Sequence, residues 1–368
     1  MRSEALELVR EFFFRDRIDR HDIPVLDGAL LPNDRLERCR ELPVEISEPD
    51  DLLLSAEGDL LVSSGSEILR LGAPDLERTE IVARLPGRAG PLAADSAGVL
   101  VGVEGIGVMR VGVDGQPSLV FDRAGGEPIR CPTAIVVGAE GELYVTDGSP
   151  RHPATDWVWD LMERRSQGRL VRFDRRRSEA RVLQAGLAFP SGVAAAKDGT
   201  SLLVSQAWTH RLDRFALDGR RLETIFDNHP GYPGRIHTDP SGGYWLAVFA
   251  LRTHLVEFVL TQDDFRQEMM RTIDPRWWVR PALKSLDSGL EPLQGGGIRK
   301  LGITKPWAPP RSYGLVVRLS EDGDPLESLH SRPGGRYHGA VSARRLGDRL
   351  FVACKGADRV LVEAEARS

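Results

Sequence analysis

The sequence predicts an all-β fold: a six-bladed β-propeller with a short N-terminal helix and two helical or irregular insertions. Two observations carry this. One strand–turn–strand unit returns about every 40–45 residues, as DLLLSAEGDLLVSS, LAADSAGVLVGV, TAIVVGAEGELYVT, GVAAAKDGTSLLVS, IHTDPSGGYWLAV and GAVSARRLGDRLFVA. A third strand often follows each copy at once, as in EILRL, GVMRV and GRLVRFD. A single blade of this size cannot bury both faces, whereas a radial stack buries each sheet against the next and leaves only short edges.

Central strands starting near Pro49, Pro91, Pro132, Pro190, Arg235 and His338 give six blades, at intervals of 42, 41, 58, 45 and 103 residues. The two long intervals predict insertions at 148–167 and 252–312 that hang over one rim. Upstream of the ring, Leu6, Val9, Phe12 and Phe13 share one side of a helix over residues 3–15. Packing on the ring is the expected role, and insertion in a membrane surface is the alternative. Pro and Asp-Gly breaks interrupt the segment that follows. DRLERCREL then reads as an outer strand that closes the ring against RVLVEAEA. Residues 1–40 are thus expected to be the N-terminal helix and closing segment, and 41–368 the propeller. The first insertion, with Trp157, Trp159 and Met162, suits a lid or a plug between blades. The second is expected to alternate through THLVEFVLT, turn helical near Asp263 and become irregular beyond Trp277 and Trp278, covering one end of the channel.

Composition narrows the partners. The chain has 41% apolar residues, a formal charge of −5 and no extended basic tract, so nucleic acid is not expected. Cys39, Cys131 and Cys354 are odd in number and lie far apart, which suits a reducing compartment and offers no metal spacing. The N-terminus is charged throughout, unlike a signal peptide, and no run reaches the roughly 20 apolar residues needed to span a bilayer. These features point to a cytoplasmic protein with a small-molecule ligand and no transmembrane segment; oligomeric state is left open.

In a propeller the first residues of the inner strands converge on the axis. Here they are Asp50, Gly90, Thr133, Ser191, Arg235, His237 and His338. Alternation along a strand admits only one of Asp50 and Asp51 to the channel, and only one of Ile236 and His237. His338 is the first candidate for proton transfer, because imidazole titrates near neutral pH. Arg235, beside Gly234, offers a fork of donors to a carboxylate, a phosphate or a developing oxyanion. His237 is the third catalytic candidate. Asp50, Thr133 and Ser191 would contact the substrate, and Ser191 lacks the G-x-S-x-G setting of a nucleophile. Further out, Gln206 and Trp208 would line the mouth. Cys131, Asp147 and Glu104 read as structural residues.

The stretch LAFPSGVAAAKDGTSLLVSQAWTHRLDRFALDG, continuing to NHPGYPGRIHTDPSGGYWLAV, resembles the strictosidine synthase-like group of six-bladed propellers, kin to the gluconolactonase and paraoxonase lactonases. GELYVTDGS with GRLVRFD, and IPVLDGALLPNDRL, extend the likeness over most of residues 24–365. The resemblance implies the fold but not the reaction. Lactonase members hold a calcium ion on the axis through a first-blade Glu and later Asn and Asp residues. The matching positions are Asp50, Thr133, Ser191 and Gly234–Arg235, so most of those oxygen ligands are gone. No metal cofactor is therefore expected, with a weak calcium site at Asp50 and backbone carbonyls as the alternative. In strictosidine synthase the last-blade Glu that helps join amine to aldehyde matches the region of His338 and Gly339, which has no carboxylate.

The leading expectation is a hydrolase for a small lactone or ester, with His338 as base, Arg235 on the oxyanion and His237 and Ser191 orienting the substrate. The alternatives are a non-catalytic propeller that binds a small anionic metabolite, a strictosidine synthase-like condensing enzyme, and a protein-interaction platform.

Overall fold

Each repeat folds as a four-stranded antiparallel sheet in the computed structural model, which describes residues 22–55, 57–284, 299–300, 303–304 and 312–363. Six such sheets form the ring. The first blade is Pro49–Leu54, Leu60–Ser64, Glu67–Leu71 and Thr79–Arg84. The inner strands of the others are Ala89–Asp95, Pro132–Val137, Pro190–Ala195, Gly231–Thr238 and Ala340–Leu346. Apolar seams between neighbouring blades hold them together. Leu52, Leu60, Val62 and Leu71 of the first blade pack on Phe351, Ala353 and Val362 of the last. Leu53, Leu61 and Ile68 face Leu92, Val101 and Val103 of the second. Each fully buried aliphatic side chain contributes about 1.5–3 kcal/mol, so a seam of ten outweighs any single polar contact.

Ring closure follows the sequence reading. Arg40–Glu41 is the outermost strand of the last blade and runs antiparallel to Arg359–Val362, with Arg40 opposite Val362 and Glu41 opposite Leu361. Only these two residues of the expected outer strand pair in the sheet; Leu36–Arg38 forms a 3-10 turn that buries Leu36.

Both insertions join the second to the third strand of a blade, at the end of the ring where the inner strands begin. The first contains helix α1, Trp157–Glu163. The second contains α2, His254–Thr261, and α3, Asp263–Thr272. The expected alternating strand over THLVEFVLT is therefore a helix. Thr253 caps it, accepting a hydrogen bond from Val256 N–H at 3.3 Å, and Val256, Val259 and Leu260 bury one face at helical spacing. Trp159 of α1 meets Trp278 edge-on, with ring centroids 4.6 Å apart, so the two insertions lock together. The expected helix over residues 3–15 and the irregular stretch from 285 to 311 lie outside the described residues, apart from a two-stranded ribbon of Arg299–Lys300 and Ile303–Thr304. Among the described residues no helix is long and apolar enough to cross a membrane.

One local feature positions the site. Every inner strand loses its ladder register just after its start, between Pro49 and Leu52, Ala89 and Leu92, Pro132 and Ala134, Pro190 and Gly192, Pro233 and Ile236, and Ala340 and Ser342. An irregularity of this kind re-aims side chains, and six of them in a ring aim at one axis.

Candidate functional site

The axial cavity at the insertion end measures about 110 Å³, near the size that takes one benzene-like group. Asp50, Thr133, Ser191, Arg235 and Lys355 provide its polar lining, and Trp157, Phe189 and Phe249 are prominent in its wall. Helix α1 contributes Trp157 to that wall. Behind it Trp208 stacks on Phe189 at 4.5 Å and donates through Nε1 to Asp160 Oδ1 at 2.7 Å, which holds the insertion against the ring.

Arg235 lies across the axis. Its Nε donates to the Thr133 carbonyl at 2.8 Å and its Nη1 to the Asp50 carbonyl at 2.6 Å, while Nη2 pairs with the Asp50 carboxylate. Three contacts thus tie the fifth blade to the third and the first. Lys355 Nζ closes on Asp50 Oδ2 from the last blade at 2.6 Å. Burial by itself would push the Asp50 carboxyl up, but Arg235 and Lys355 outweigh it and hold the group below its usual range. Asp50 is therefore ionised at neutral pH and shared between two cations. Arg235 is likewise held more firmly protonated than usual by Asp50 and Asp51, against the cost of its burial.

Beneath this layer Asp51 binds the blades together. Its Oδ2 accepts from Leu92 N–H at 2.8 Å, and Oδ1 accepts from the Ser342 hydroxyl at 2.7 Å and lies 3.2 Å from His237 Nε2. His237 Nδ1 sits 2.8 Å from Arg344 Nη2, a donor, so that nitrogen is the acceptor and Nε2 carries the proton. Both Asp50 and Asp51 reach the axis, which strict alternation forbids; the register break between Pro49 and Leu52 permits it. Ile236 packs between blades and His237 faces the axis.

The structure therefore brings together Asp50, Thr133, Ser191 and Arg235 and separates the remaining candidates from them. His338 does not line the cavity. Its Nδ1 is 2.9 Å from the Ser312 hydroxyl and its Nε2 is 3.1 Å from the Arg332 carbonyl. Gly339, at φ 65°, turns the chain between His338 and the inner strand, and Val341 reaches the cavity instead. His237 lies in the layer below. Gln206 is spent on Ala188 N–H, at 2.8 Å, and on Asp213. Trp208 supports the wall from behind without lining it. Cys131 is fully buried, and its thiol is pushed well above its usual range by that burial. Asp147 is committed to Cys131 N–H and Arg169.

Sequence reasoning missed Lys355. It follows the second strand of the last blade, Arg349–Cys354, one residue beyond the level at which Gln206 and Asp147 end their own strands. Its nearness to that level was the available signal.

Calcium does not fit this donor set. It requires about six to eight oxygens, whereas the cavity holds one carboxylate with a guanidinium and an ammonium already on it. Arg235 itself takes the carboxylate and the two carbonyls that a cation would seek. Among the described residues no three His, Cys, Asp or Glu side chains are grouped to bind a metal ion.

Known proteins agree with this architecture. The strictosidine synthase family model matches residues 134–220. Strictosidine synthase-like protein 6 of Arabidopsis thaliana is 33% identical over 143 residues, 39% of this chain and 38% of that protein. The chain thus spans well under half the length of that relative. The adipocyte plasma membrane-associated protein of Salmo salar is 26% identical over 87% of this chain and 75% of its own length. Among solved structures, a gluconolactonase of Xanthomonas campestris superposes with a TM-score of 0.57 at 17% identity, covering 93% of this chain and 94% of that one. Regucalcin of Agrobacterium tumefaciens, a calcium-binding protein, gives a TM-score of 0.56 at 13% identity, covering 89% and 93%. The sequence resembles strictosidine synthase-like proteins, and the fold resembles gluconolactonase-type propellers.

Proposed function

We propose that the chain hydrolyses a small lactone or ester in the axial cavity through its own charged side chains rather than a metal. The observation that carries this reading is the Arg235–Asp50–Lys355 cluster at the floor of an aromatic-walled cavity. The walls suit an apolar acyl or ring portion. Ser191 and Thr133 donate to the Phe189 and Pro190 carbonyls, which leaves their hydroxyl oxygens to accept from the attacking water.

In the proposed step a water oxygen attacks the substrate carbonyl carbon, and one water proton passes to the Asp50 carboxylate. The carbonyl oxygen becomes an oxyanion beside Lys355 and Arg235. As negative charge builds there, it competes with Asp50 for both cations, so Asp50 becomes more basic when it must take the proton. Collapse of the intermediate breaks the acyl C–O bond, and the departing alkoxide takes the proton back from Asp50. The products are a hydroxy acid from a lactone, or an acid and an alcohol from an ester.

A second reading is supported by the same ion pairs: with Asp50 held by two cations, the cavity also suits simple capture of a small anion. Steady-state hydrolysis of δ-valerolactone and phenyl acetate by the wild type, Lys355→Met and Asp50→Asn separates the two. Hydrolysis is expected in the wild type, with kcat/KM about 100-fold lower in each variant while circular dichroism is unchanged. Undiminished turnover in both variants removes the cluster from the chemistry. No turnover by a folded wild type, on these or other small lactones and esters, leaves the binding reading.

A further inference from the structure

The inner strands run along the axis, and their far ends surround a second cavity of about 470 Å³, opposite the insertions. Leu53, Ala94, Val137, Ala195, His237 and Arg344 line it, each lying further along its strand than the residues of the first site. The Asp51 layer separates the two cavities. We propose that this far cavity is a second ligand site, for a small carboxylate with a branched aliphatic body.

Arg344 carries the argument. Its guanidinium makes no ion pair among the described residues; its hydrogen bond goes to the neutral imidazole of His237, and its buried Nε–H has no acceptor. Arg344 is half-buried and feels Asp51 only through space, with no carboxylate at ion-pair distance, and a charge withdrawn from water without a close counter-ion is costly. The nearby acids are committed elsewhere. Asp51 already accepts from Leu52 N–H, Leu92 N–H, Ser342 and His237, with Arg235 Nε at 4.0 Å. Asp239 pairs with Arg345 at 3.4 Å and Arg318 at 3.5 Å, and Arg345 also lies over the Trp245 ring. His237 cannot neutralise Arg344, because an imidazole carries no negative charge; burial holds it in the neutral form, with its pKa pushed down to about 4. Arg344 is thus the one cation of this cavity lacking a carboxylate among the described residues. Its planar fork matches a carboxylate, and the surrounding Leu53, Ile135, Val137 and Val193 would select an anion with an apolar body over a strongly hydrated inorganic one.

Isothermal titration of the full chain with sodium isovalerate tests this, with isovaleramide as the uncharged isostere. One isovalerate is expected per wild-type chain, and isovaleramide at least tenfold weaker. Arg344→Leu should weaken isovalerate at least tenfold, and Arg344→Lys by less. Ala94→Trp, at the exposed mouth, should block binding without touching the charge, and keeps the test decisive if Arg344→Leu fails to fold. Isovalerate affinity unchanged in Arg344→Leu or Ala94→Trp overturns the proposal. So does an absence of binding to the wild type at about 10 mM. Loss of binding in Lys355→Met with retention in Arg344→Leu would move the site to the other cavity and also overturn it.

Discussion

Replacing Arg235 by Leu removes a side chain that joins three blades on the axis, in the layer above Asp51. Two charge-assisted hydrogen bonds to the Thr133 and Asp50 carbonyls disappear, together with the ion pair to Asp50. Arg235 is buried and Asp50 nearly so, with side-chain exposures of 9% and 13%. Breaking such a pair costs about 3–5 kcal/mol, because the surviving charge is left uncompensated. Here Lys355 stays 2.6 Å from Asp50, which places the expected loss near the lower end, about 3 kcal/mol. Arg235→Lys keeps the charge but cannot reach all three acceptors at once, so an intermediate loss is expected. Urea unfolding followed by circular dichroism at pH 7 measures both. A cycle with Asp50→Asn isolates the pair, and a coupling of at least about 1 kcal/mol is expected. A loss below about 1 kcal/mol for Arg235→Leu, or strict additivity in the cycle, would refute the view that this guanidinium fills the role of an axial cation.

Other consequences follow from the same geometry. His237, His229 and His330 are each pushed down to about 4 by burial. The unfolded chain therefore binds protons between about pH 6.5 and 4 that the folded chain refuses, and stability should fall as pH drops through that window. His237→Gln should flatten the fall by about one proton's worth, up to roughly 3 kcal/mol across the window, measured by urea melts at each pH; an unchanged slope contradicts the neutral assignment. Trp208→Phe keeps the stacking but strips Asp160 of its indole donor. That should cost about 1–2 kcal/mol, with faster proteolysis inside 148–167 as the readout. Trp157→Ala should raise KM more than it lowers kcat, since the ring forms cavity wall and carries no charge.

The fold was legible because period-two alternation and the recurring Gly turn survive in all six copies, and the closing strand pair followed from the ends of the repeat. The helix at His254–Thr261 was not. LVEFVL is apolar enough to read as alternation, and only the Thr253 cap decides for a helix. For the candidate site, the convergence of strand starts was legible, and Asp50, Thr133, Ser191 and Arg235 do line one cavity. The site was misjudged wherever one residue of slippage matters. The register break between Pro49 and Leu52 lets Asp51 join Asp50, and the turn at Gly339 withdraws His338. Lys355 escaped because it approaches from the end of a second strand, where no strand-start pattern marks it.

The most direct test of the central claim is the hydrolysis rate on δ-valerolactone after exhaustive chelation, with and without added calcium. A rate unchanged by either treatment is expected if Arg235 and Lys355 supply the positive charge. A rate abolished by the chelator and restored by calcium would contradict the account.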